Sequence, residues 1–142
     1  MPVKKIHTYT IQFQGYGTDY ADATTYYFGM IYPYPPEATW NIFKIKIPRR
    51  GIIRRAEIQG LTQSVAGSGE DWTLSIRLND TTDYPIATVA SNNPAQGRRD
   101  WTNNALNIPV VEGDFICIKT TCPTWVTNPT QYKFNGFVLI EY

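Results

Sequence analysis

The segment Trp72 to Leu78 constrains the fold of this chain more than any other. Trp72, Leu74, Ile76 and Leu78 fall on one side of an extended backbone, and Thr73, Ser75 and Arg77 on the other. That period of two describes a strand with one dry face and one wet face. It recurs at Ile6 to Phe13, where His7, Tyr9, Ile11 and Phe13 share a side opposite Thr8, Thr10 and Gln12. It recurs again at Thr39 to Ile47, where Phe43, Ile45 and Ile47 alternate with Lys44 and Lys46. No segment of helical length combines apolar spacings of three and four with a cap, so almost no helix is expected.

Turn chemistry divides the rest. Gln14 to Ala23 reads as a loop from its glycines and aspartates, and Thr24 to Tyr32 resumes as a strand. Pro33, Pro35 and Pro36 then exclude helix and central strand, which makes Tyr32 to Pro36 an extended surface segment. Ile52 to Val65 precedes the turn Ala66-Gly67-Ser68-Gly69, Asn79 to Asp83 turns, and Asn92 to Asp100 reads as a polar loop. From Asn107 the chain gives strand, Glu112-Gly113-Asp114 turn, the strand Phe115 to Thr121, a proline-bearing loop and a last strand ending at Tyr142. About eight or nine strands with turns every ~8 to 12 residues favour an all-β fold, a single two-sheet antiparallel β-sandwich of jelly-roll type. The expected unit is one domain over residues 1–142 with a short N-terminal arm, Met1 to Ile6.

Charge and cysteine content narrow the function. A net charge of +1 provides no long-range field for collecting phosphates, so nucleic acid is not an expected partner. No window approaches the ~20 apolar residues of a membrane span, and the start MPVKKIHTYTIQF has no apolar stretch behind its lysines. A soluble product made in the cytosol is expected. Cys117 and Cys122 make no disulfide framework and lack the partners of a zinc site, so one is read as a buried strand thiol and the other as a loop thiol.

Catalysis is poorly provided for. His7 is the only histidine and sits in an alternating strand, where packing explains it, and no nucleophile or phosphate-loop motif is present. Glycoside hydrolysis needs paired carboxylates, but most of Glu57, Glu70, Asp71, Asp80, Asp83, Asp100, Glu112 and Asp114 fall in expected turns. Calcium binding would use loop oxygens, for example those of Asp80, Asp83 and neighbouring carbonyls, yet no catalytic residue, metal or cofactor is assigned. The surplus lies in ten tyrosines, four tryptophans and the pairs Arg49-Arg50, Arg54-Arg55 and Arg98-Arg99. Such rings and guanidiniums serve either subunit and partner interfaces or stacking on sugars.

Three motifs carry a resemblance. RLNDTTDYPIATV at Arg77 to Val89, NALNIPVVEGD at Asn104 to Asp114 and PTWVTNP at Pro123 to Pro129 together resemble small β-sandwich proteins of tailed-phage virions, over about residues 40–142. Proteins of that kind include capsid decoration (cement) proteins, head fibres and fibre tips, commonly trimeric jelly rolls. The resemblance implies a non-enzymatic homotrimer on the virion surface that binds the major capsid protein and stabilises the head. Its alternative is a fibre head that binds a cell-surface glycan or receptor. The few residues before the first strand favour decoration over a fibre with a long shaft. The expected capsid or subunit contacts are Lys4, Lys5, Tyr16, Tyr20, Tyr32, Tyr34, Arg49, Arg50, Arg98, Arg99 and Trp101. Trp125 and Asn128 are read as residues that order the loop before the last strand.

Overall fold

The computed structural model describes residues 5–17, 21–29, 44–63, 72–89, 96–125, 128 and 131–142. Within strands, the side chains of Tyr16, Trp72 and residues 61–63, 88–89, 96–99 and 131–132 are not described.

Ten strands and no helix make up the described residues: β1 (Thr8–Gly17), β2 (Thr25–Phe28), β3 (Ile45–Lys46), β4 (Gly51–Gln63), β5 (Trp72–Leu78), β6 (Thr82–Val89), β7 (Gln96–Asn103), β8 (Ile108–Val110), β9 (Phe115–Thr121) and β10 (Gln131–Glu141). They pair antiparallel in two five-stranded sheets. Sheet A has the order β1-β10-β4-β7 with β8 also on β4, and sheet B the order β2-β9-β5-β6 with β3 on β9. Early strands therefore pair with late ones: β1 with β10, β2 with β9, β4 with β7, and β5 with β6. The chain is in effect one doubled ribbon, closed at the β5–β6 turn and rolled into two layers, which is the jelly-roll arrangement. The shortest strands are β3 and β8, and β3 covers only the end of the expected Thr39 to Ile47 strand, of which residues 39–43 lie outside the described set.

The inner faces are built by the alternation seen in the sequence. Ile11, Phe13, Ile58, Phe134, Val138 and Ile140 of sheet A bury against Phe28, Leu74, Ile76, Ile116 and Ile118 of sheet B. Each such side chain removed from water contributes about 1.5–3 kcal/mol. Rings fill the centre: Phe28 stacks on Phe134 at 5.4 Å, and Trp101 meets Phe134 at 6.0 Å. Gly60 makes room for this group, since a Cβ there would lie 2.6 Å from Trp101 and 2.8 Å from Phe134.

Several boundaries differ from the sequence reading. The expected loop at Gln14 begins as strand, because β10 offers partners as far as Gly17↔Tyr132. The end of the expected Asn92 to Asp100 loop is strand as well, since β4 pairs with Gln96 to Asp100. In both places a neighbouring strand supplies the hydrogen bonds that polar and glycine residues do not announce. β2 ends at Phe28, short of Tyr32, and residues 30–43 lie outside the described set. On β5, Thr73 is exposed as expected, but Ser75 is buried and Arg77 half-buried.

Turns tie one end of the sandwich together. Asn79 and Asp80 both have positive φ (49° and 69°), and the Thr81 amide donates to the Leu78 carbonyl at 3.1 Å, as a type I′ turn requires. Gly113, at φ 94°, supplies the left-handed residue of the β8–β9 turn, where Asp114 accepts from the Val111 amide at 2.8 Å. The Asn79 side chain joins the two turns, donating to Asp114 at 2.7 Å and accepting from the Phe115 amide at 2.8 Å.

Candidate functional site

Three surface regions concentrate the chemistry. The first is the end of the sandwich where residues 5–7, the β3–β4 connection, the β8–β9 turn and Tyr142 come together. The Tyr142 amide donates to the His7 carbonyl at 2.9 Å, and the His7 and Tyr142 rings stack at 5.6 Å. The Arg49 guanidinium lies 3.9 Å over the Tyr142 ring, while the Tyr9 hydroxyl donates to the Arg49 carbonyl at 2.8 Å. Burial, outweighing the neighbouring Arg49 charge, pushes the Tyr9 phenol above its ordinary value. Beside this cluster runs a trough of about 420 Å³ lined by Arg50, Ile52, Val111 and Glu141 among others. Val111 and Tyr142 in that trough are 59% and 39% exposed, an apolar surface beside Arg49 and Arg50, and Ile6, next to His7 in the chain, is 63% exposed. Arg50 has no ion-pair partner among the described residues.

The second region is the outward face of sheet B. Asp83 accepts from Arg77 at 2.8 Å and from Lys119, and Arg77 also donates to the Asp80 carbonyl. Lys44 pairs with Asp80 at 3.5 Å. Burial raises the Asp83 carboxyl, but the hydrogen bonds from Lys119 and Arg77 outweigh it and hold it below the ordinary range. Cys117 is fully buried on this face, in register with Arg77. Burial pushes its thiol, and that of Cys122, up to about 12, which leaves both inert at neutral pH. The carboxylates considered for calcium are thus matched by cations, and no group of three or more metal-ligating side chains occurs among the described residues.

The third region is the outward face of sheet A. Register aligns Gln12, Phe137 and Glu57 in one row across β1, β10 and β4, and Gln14, Asn135 and Gln59 in the next. These residues line an open groove of about 240 Å³. Glu57 pairs with Arg55, whose guanidinium lies 5.8 Å over the Phe137 ring. None of the four amide side chains bonds another described residue.

Of the contacts expected from sequence, Arg49 and Arg50 are exposed and line the trough of the first region, and Lys5 is exposed two residues before His7. Trp101 is half-buried against the core. Tyr16, Arg98 and Arg99 lie in strands, with Tyr16 and Arg98 reached from one another through Lys133 and Leu61 in a single cross-strand row. Lys4, Tyr20, Tyr32 and Tyr34 lie outside the described residues. Trp125 is buried, and its amide donates to Asp22 at 2.9 Å, tying its loop to the β1–β2 connection. Sequence reasoning missed the amide groove. Its only trace is the wet-side parity of Gln12 and Gln14 on one strand, because Gln59 and Asn135 come from distant segments.

No family model and no curated protein matches the sequence. Among solved structures, the chain is similar to one in the structure of infectious bursal disease virus Gx strain, with 15% identity and a TM-score of 0.48, over 98% of this chain. It spans 32% of that chain's length.

Proposed function

We propose that this chain is a non-enzymatic virion structural protein, a capsid decoration protein that docks as a homotrimer on the major capsid protein and stabilises the head. The observation that carries the docking surface is the end where exposed Val111 and Tyr142 line one trough with Arg49 and Arg50. Aromatic and arginine anchors around an apolar centre are the composition that carries binding energy at protein interfaces. The end is also held firm by the Asn79 bonds between its turns, so little ordering cost attends docking.

The virion assignment is supported by the three sequence motifs, the first two of which meet in this fold. Asn79 of the first motif bonds Asp114 of the second, and Trp125 of the third anchors its loop to Asp22. A non-enzymatic role is supported by the state of the carboxylates: Glu57, Asp80, Asp83 and Glu141 are each held in ion pairs with Lys or Arg.

The test is to mix purified chain with virions produced without it and follow both on a gradient. Co-migration and a higher melting temperature of the heads are expected, with co-migration lost in the Arg49→Ala, Arg50→Ala double variant. A chain that never travels with particles ends the decoration reading, and a solution mass other than three chains ends the trimer.

A further inference from the structure

From the groove on the outward face of sheet A, we infer a binding site for a neutral oligosaccharide. Gln12, Gln14, Gln59 and Asn135 each present a donor and an acceptor, and none of those groups is engaged by another described residue. Free hydroxyls, which also donate and accept, are the ligand groups that match a set of amides without a net charge. Glu57, the one charged side chain that lines the groove, is paired with Arg55, so the lining offers an ionic ligand no free charge. Phe137 provides the apolar surface that one ring face of a sugar needs, and Arg55 covers part of it from one side.

A protein partner fits this face poorly, because the exposed large hydrophobic side chains Ile6, Val111, Phe115 and Tyr142 all lie elsewhere on the described surface. The volume of about 240 Å³ is below the ~300–1,000 Å³ of sites that enclose a drug-sized molecule, and the groove is open. It therefore grips one or two rings of a chain that continues into solvent. Adjacent strands, ~4.8 Å apart, space the amides across the width of one ring. The groove is separate from the end assigned to docking, and this inference does not depend on that assignment.

The test is a titration of the isotopically labelled chain with a panel of defined neutral oligosaccharides (gluco-, manno-, galacto- and N-acetylglucosamine oligomers), with sulfated oligomers of the same length for comparison. Binding of at least one neutral oligomer is expected to shift the side-chain amide signals of Gln12, Gln14, Gln59 and Asn135. The Gln14→Ala, Gln59→Ala double variant weakens it by about tenfold or more, since each substitution removes one of the amides that hold the hydroxyls. Its backbone spectrum reports that the sheet is intact, and Arg50→Ala leaves the affinity unchanged. No shift with any neutral oligomer, a response to sulfated oligomers alone, or undiminished binding in the folded double variant overturns the inference.

Discussion

The outward faces of the two sheets solve the same problem in opposite ways. On sheet B, Arg77 and Lys119 both donate to Asp83 above a buried thiol, and the charges of the face are matched internally. On sheet A, a row of amides bonds no other described residue, and the face is open to a ligand. The contrast teaches that polar residues on a sheet surface are not all solvation: where they pair internally they hold the fold, and where they do not they are available for recognition.

Five measurements break or sharpen that contrast. The largest effect is expected from Gly136→Ala beneath the open face, since a Cβ there collides with the Glu57 carbonyl and with Ile58 and forces β10 from β4. A loss of about 3 kcal/mol in denaturant unfolding is expected. Arg77→Ala opens the closed face, costs about 2 kcal/mol by the same measurement and lets a thiol reagent reach Cys117 in the folded protein. An unreactive Cys117 in that variant breaks the comparison on the sheet B side.

The closed face also carries a pH signature. The folded Asp83 carboxyl lies below its unfolded value, so its contribution is present above the ordinary carboxylate range and is lost as pH falls through the folded value. Asp83→Asn therefore flattens the acid limb of a stability-against-pH curve and leaves its slope near neutrality unchanged. Thr120 is fully buried with an unpartnered hydroxyl, and Thr120→Val raises stability by about 1 kcal/mol in thermal unfolding. Smallest of all, Gln14→Ala shifts stability by less than about 0.5 kcal/mol. A substantial loss there gives the open face a structural duty and breaks the comparison on the sheet A side.

What could be read from sequence follows this same division. Alternation exposed Ile11, Phe13, Leu74 and Ile76 as core, because a half-buried strand writes its burial into every second residue. Turn chemistry likewise marked Asn79 and Gly113, whose positive φ values need those residue types. Gln14 to Gly17 and Gln96 to Asp100 were hidden, because their strand state is set by β10 and β4. The amide groove was hidden for a related reason. Only the pairing of Gln14 with Asn135, and of Asn135 with Gln59, puts side chains from three distant segments into one row. The docking end was half visible: Arg49-Arg50 stood out as a pair, whereas their meeting with Tyr142 required the roll of the ribbon.

The hydrogen bond between the Tyr142 amide and the His7 carbonyl brings entry and exit of the sandwich to a single point. A module with adjoining ends can be spliced into a surface loop of a host protein without prying the host apart. The same adjacency permits a short peptide bridge from residue 142 to residue 7 and new termini cut at a distant loop.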